Sequence, residues 1–196
     1  MKTENREIRI SGIIQRAASA DSESRTVEGY GCVFESQSEN LGWFETIHQG
    51  AITEDIINCS DCFAKLNHRD DAVLARSKNG KGSLLLEVDD KGLHYLFDAP
   101  HTAAGDELLE HLKRGEITQS SFAFVIADEE GAENWRNENG VLYRDIFKIC
   151  YVADISPVYQ PAYTATECSK RGSEMVTKNE EINAKMSALQ SEIEAM

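Results

Sequence analysis

Residues 117–124, ITQSSFAF, place two serines directly ahead of an alternating apolar run. Extended to SSFAFVIA, residues 120–127, the aromatic and β-branched residues at a period of two read as a strand. Ser120 then shares a face with Phe122, Phe124 and Ile126, whereas Ser121 shares one with Ala123 and Val125. The bulky set is the one to fill a core, and the smaller set leaves room beside Ser121 for other side chains. The two serines point to opposite faces, so only one can meet a given partner. The pattern favours Ser121, and a one-residue change of register would select Ser120 instead.

Outward from this strand, β structure dominates. EIRISGIIQR (7–16) and TVEGYGCVF (26–34) read as strands, the second with glycines that allow a bulge or bend. A polar loop, ESQSENLGW, leads to FETIHQGAITEDIIN, whose second half forms a short helix with Thr53 as its N-cap. CFAKLNH is a short strand, and GSLLLEV and LHYLFDA flank an Asp-Lys-Gly turn as a hairpin. TAAGDELLEHLKRG is a helix with Leu108, Leu109 and Leu112 on one side and Gly115 as its stop. ADEEGAENWRNENG reads as an acidic loop, and VLYRDIFKICYVADISPVY as two strands or one bent strand. No internal repeat is present. Many strands with two or three helices imply a mainly β (α+β) domain over residues 1–171, with helices outside a barrel or sandwich core. In residues 172–196, a polar linker precedes Ile182, Met186, Leu189, Ile193 and Met196. These step by four and three as a short heptad seam, either a frayed amphipathic tail or a helix for self-association or docking.

Composition narrows the function classes. Of 196 residues, 41% are hydrophobic, enough for a core, and the formal net charge of −14 opposes binding to nucleic acid or an anionic membrane. The N-terminus MKTENREIRI has no apolar stretch of the signal-peptide kind, and no window reads as a membrane span, so a cytoplasmic location is expected. Five cysteines, at 32, 59, 62, 150 and 168, follow no framework spacing and fit a reducing compartment. Cys59-x-x-Cys62 with His68 nearby is half of a structural zinc site, but a second cysteine pair is lacking. No metal or cofactor is expected.

Three reactive polar residues interrupt apolar β segments. His68 ends CFAKLNH, on the face of Ala64 and Leu66 by the period of two; Ser121 opens its strand; Asp154 breaks the run ICYVADISPVY. An unpartnered buried carboxylate costs several kcal/mol, so Asp154 must be paired, solvated or protonated. A surface histidine, a polar strand edge and a turn aspartate would account for each residue singly. Together they are what nucleophilic acyl transfer requires: a hydroxyl, an imidazole to take its proton, and a carboxylate to orient the imidazole. The order His, Ser, Asp is no objection, and the absence of G-x-S-x-G argues against an α/β-hydrolase.

The segments VEGYGCVFESQSENLGWFETIHQGAI, LNHRDDAVLAR, GSLLLEVDDKGLHYLFDAP, RGEITQSSFAF and YRDIFKICYVADISPVYQPAYTAT run in that order, with a tryptophan between the last two. Over residues 8–166 the chain thereby resembles the prohead (capsid maturation) proteases of tailed bacteriophages, HK97 type, related in fold to herpesvirus assemblins. The resemblance implies a herpesvirus-protease-like β-barrel core with flanking helices. It also implies a serine endopeptidase that cleaves scaffold, or the scaffold-like segment of the capsid protein, and itself. The setting would be the interior of the assembling procapsid, in the host bacterial cytoplasm. Carried over residue by residue, the resemblance makes His68 the base, Ser121 the nucleophile and Asp154 the orienting carboxylate. The chain departs from the common pattern in having Arg69 rather than Asp directly after His68, and a serine rather than an apolar residue at 120. Resemblance and charge together make Arg144, and to a lesser degree Arg76, candidates for the neighbourhood of substrate or oxyanion, the other reading of each being an ordinary strand-face or salt-bridge arginine. A different class of reading is a catalytically silent assembly protein that uses the barrel and C-terminal helix to co-assemble with scaffold.

Overall fold

A computed structural model describes residues 7–16 and 24–159. The expected boundary at Arg171 and the tail 172–196 lie outside the described residues. In chain order the strands are β1 (Glu7–Arg16), β2 (Thr26–Val33), β3 (Phe44–Ile47), β4 (Asp61–Lys65), β5 (Val73–Lys78) and β6 (Lys81–Gly82). They continue as β7 (Leu85–Val88), β8 (Gly92–Asp98), β9 (Gln119–Ile126), β10 (Glu133–Glu138), β11 (Val141–Ile146) and β12 (Ile149–Val158). Two helices, α1 (Glu54–Cys59) and α2 (Ala103–Arg114), interrupt them.

Nine strands form one sheet in the order β6-β5-β4-β12-β9-β1-β2-β8-β7. Among the described residues its end strands pair only inward, β6 with β5 and β7 with β8. The sheet is therefore open, and the closed barrel expected above is not formed there. A second sheet of three strands runs β10-β11-β3. Its strand β10 lies inside the stretch expected to be an acidic loop. The sequence ENWRNE hides its strand character because a strand on the edge of a small sheet buries little, and charge on such an edge guards against unwanted pairing.

The hairpin and the long helix match their sequence signals. β7 and β8 pair antiparallel around Asp89–Lys91, and Asp89 Oδ1 accepts from the Lys91 and Gly92 backbone N–H groups at 2.8 Å. Thr102 caps α2 by accepting from Gly105 N–H, and Gly115 closes it in the left-handed conformation with φ 72°. Leu108 of α2 and Ile57 of α1 are buried in the core. That core lines one face of the large sheet with Tyr95, Phe97, Phe122, Phe124, Val152 and Ile155. Phe122 and Phe124 stack at 4.7 Å.

Two central strands carry the polar residues of interest. β12 lies between β9, to which it runs antiparallel, and β4, to which it runs parallel. Its pairing with β9 shifts register between Val152 and Asp154: Val152 faces Phe124, yet Asp154 faces Ala123. One extra residue, Ala153, is bulged out, so Val152 and Asp154 do not share a face as a regular strand would require. Val152 turns to the core with Phe124, and Asp154 turns to the opposite face with Ala123. The bulge lets a carboxylate and a core valine sit two positions apart in sequence.

Candidate active site

Residues on adjacent antiparallel strands that stand opposite each other project on the same side. Ser121 stands opposite Ser156, and Ala123 opposite Asp154, so these four side chains occupy one face of the β9–β12 pair. Phe63 of β4 is in register with Asp154 and extends that face by one strand. Ser120 projects the other way, toward the core, where Tyr95 Oη lies 2.7 Å from its Oγ. The small-residue face inferred from the sequence is thus the polar one.

His68 reaches the same face by a route the period of two does not foresee. β4 ends at Lys65, and Leu66–His68 form a single 3-10 turn. Asn67 and His68 both take positive φ, 52° and 59°. Left-handed backbone costs an L-residue roughly 1–2 kcal/mol, least for asparagine. Leu66 keeps its core position, while the two left-handed residues turn His68 away from the face it would share with Leu66 in a continued strand. Backbone bonds hold the turn: Leu66 N–H to Ala72 O at 3.0 Å, Arg69 N–H to Leu66 O at 3.1 Å and Ala72 N–H to Arg69 O at 3.2 Å.

The result is a hydrogen-bonded line. His68 Nδ1 lies 2.6 Å from Asp154 Oδ1, and His68 Nε2 lies 2.7 Å from Ser121 Oγ. An ionised carboxylate only accepts, so Nδ1 carries the proton it donates to Asp154. In the neutral ring Nε2 is then an acceptor, aimed at the Ser121 hydroxyl. Ser121 and Asp154 are buried, and the His68 side chain is 18% exposed. A buried carboxylate needs further compensation, and two groups not singled out in the sequence stand near it. Ser156 Oγ donates to Asp154 Oδ1 at 3.0 Å, and Lys65 Nζ lies 3.9 Å from Asp154 Oδ2. Ser156 had a legible signal, since it lies two residues after Asp154 in a strand and so shares its face.

The two arginines make ion pairs of their own. Arg144 belongs to β11 of the three-stranded sheet, where its guanidinium is held by Glu45 at 3.1 Å and Glu133 at 2.6 Å and lies over Trp135. Arg76 of β5 makes a two-pronged ion pair with Asp61, at 2.7 and 2.6 Å, and lies over the Phe63 ring. The Asp61 carboxyl is held below its ordinary range by the hydrogen bonds from Arg76. Of the cysteine pair, Cys62 is buried in the core and Cys59 is exposed at the end of α1. Among the described residues no three His, Cys, Asp or Glu side chains cluster as metal ligands, and no helix is long and apolar enough to cross a membrane.

A hydroxyl, an imidazole and a buried carboxylate in one line are the groups that serine-nucleophile acyl transfer uses. The chain belongs to the caudovirus prohead serine protease family, whose model matches residues 12–180. The fold is similar to that of the capsid assembly protease gp21 of bacteriophage T4, with a TM-score of 0.53 and 10% identity, covering 80% of this chain and 98% of that one. At that identity the likeness is one of fold. No curated protein matches the sequence significantly.

Proposed function

We propose that this family member is an endopeptidase of capsid maturation in which Ser121 is the nucleophile, His68 the general base and then acid, and Asp154 the orienting carboxylate. The observation that carries the reading is the line Ser121 Oγ–His68 Nε2 and His68 Nδ1–Asp154 Oδ1, at 2.7 and 2.6 Å. Ser121 Oγ attacks the scissile carbonyl carbon while its proton passes to Nε2. Asp154 stabilises the resulting imidazolium through the Nδ1 proton. The tetrahedral intermediate expels the amine, which takes the proton from Nε2. Water, deprotonated by the same nitrogen, then hydrolyses the acyl-enzyme.

The substrate is a protein segment, namely scaffold or the scaffold-like part of the capsid protein, followed by the protease itself, inside the procapsid. Arg76, on the strand beyond Phe63, is the arginine whose place supports a role at the substrate margin. Arg144, of the smaller sheet, makes its ion pairs with Glu45 and Glu133. Intact mass over time tests the reading, with wild type and Ser121→Ala each expressed alone and with capsid protein. Wild type is expected to produce discrete fragments and to react with a fluorophosphonate, and Ser121→Ala to do neither. A wild type inert to both, alone and with capsid protein, overturns it.

A further inference from the structure

Asp154 must do two things that oppose each other in a buried site. It must stay ionised away from water, and it must leave charge available for the imidazolium when that forms. Desolvation of an unpartnered carboxylate costs several kcal/mol. Its Oδ1 accepts from both His68 Nδ1, at 2.6 Å, and Ser156 Oγ, at 3.0 Å, while its Oδ2 faces Lys65 Nζ at 3.9 Å. Ser156 is wholly buried on β12 opposite Ser121, so its single proton is committed to the carboxylate. The Lys65 side chain is 10% exposed, and its ammonium lies between Asp154 and Asp70, the latter at 2.6 Å.

Resting on the assignment of Ser121, His68 and Asp154 above, we infer that Ser156 and Lys65 are positioning residues of the reaction. Ser156 fixes the rotation of the Asp154 carboxylate by holding the same oxygen that accepts the hydrogen bond from His68 Nδ1–H. Lys65 holds the other oxygen by charge. Neither group touches substrate; both act through Asp154.

The arrangement carries a consequence that packing alone does not. Each group draws on the negative charge that would otherwise stabilise the imidazolium, and the Lys65 cation also repels it directly. Removing either therefore favours protonated His68, the form that cannot accept the serine proton. The turn that carries His68 also holds Asp70, paired with Lys65, and Arg69, paired with Asp71 and with Glu107 of α2.

The experiment is the second-order rate of fluorophosphonate labelling of the full chain between pH 5 and 9, for wild type, Ser156→Ala, Ser156→Thr, Lys65→Met and Lys65→Arg. Ser156→Ala is expected to lower the plateau roughly tenfold, as for loss of a hydrogen bond to a charged group. Both Ser156→Ala and Lys65→Met are expected to move the acid limb to higher pH, by about half a unit or more. Ser156→Thr and Lys65→Arg are expected to restore the limb. A merely structural role would lower the melting temperature and leave the limb in place. Acid limbs unmoved in both Ser156→Ala and Lys65→Met, with plateaus within about twofold of wild type, overturn the inference. Labelling that persists in Ser121→Ala instead overturns the triad on which it rests, and is read in a separate arm.

Discussion

At the scale of single residues, Ser120 Oγ and Tyr95 Oη lie 2.7 Å apart, both wholly buried, while Ser121 Oγ meets His68 on the opposite face. Burial pushes the Tyr95 phenol well above its ordinary value, so it stays neutral and able to donate. Ser120→Ala removes a partner from a buried hydroxyl, and a loss of about 1–3 kcal/mol by chemical denaturation is expected, with fluorophosphonate labelling retained. Ser121→Ala should show the reverse, normal stability and no labelling. The acid has its own test. Asp154→Asn keeps the shape of the side chain but presents an amide that favours the wrong imidazole tautomer, so turnover should fall by about three to four orders of magnitude in a folded protein. Peptidase activity close to wild type in that variant would remove Asp154 from the mechanism. The alternation SSFAFV made the two serine environments legible in the sequence, because a strand at a period of two sorts bulky from small residues. The partners of Asp154 were less legible: Lys65 reaches it from a neighbouring strand, and no local pattern in FAKLNH records which strand will lie beside it.

At the scale of elements, the turn after β4 and the bulge in β12 decide the site. Both are departures from regular geometry, which is why a period-of-two reading placed His68 on the face of Ala64 and Leu66 and could not place Asp154. By contrast, the hairpin Leu85–Asp98 and the helix Ala103–Arg114 were legible, since Asp89, Thr102 and Gly115 are local signals that act through their own backbone. Asn67, at φ 52° and ψ 39°, is the position where the turn can be probed without altering a reacting group. Asn67→Val places a β-branched residue in left-handed backbone, and a stability loss of about 1–2 kcal/mol with a disproportionate fall in labelling is expected. Asn67→Gly should retain the turn and most of the labelling. A fully active Asn67→Val would show that the left-handed turn does not hold His68 in place.

At the scale of the whole molecule, the acidic balance of −14 coexists with carboxyls that the fold keeps ionised. Asp61 is held down by Arg76, Glu35 first by the Gln49 backbone N–H and then by His48, and Glu116 first by His111. At Asp145 burial opposes ionisation, and the hydrogen bonds from Arg136 and His48 with their charges outweigh it. A carboxyl whose folded value lies below its unfolded one contributes stability above the unfolded value and loses it as pH falls through the folded one. The melting temperature should accordingly fall steeply below about pH 4, the ordinary carboxylate range. Arg76→Met should melt below wild type at pH 7, and the two curves should converge as acid protonates Asp61. A gap that persists at the acid end would assign the effect to lost packing on Phe63 instead. The order of the large sheet has a further consequence, one of time. Its middle holds β12, the last strand described, between β4 and β9, both of which precede it in the chain. Until residues 149–158 leave the ribosome, the β4–β5 half and the β9–β1–β2 half have no shared strand, and His68 and Ser121 stand on separate pieces. On the proposed triad, a nascent chain therefore carries Ser121 and His68 before the strand that joins them, and cutting would begin only once residues 149–158 have been made.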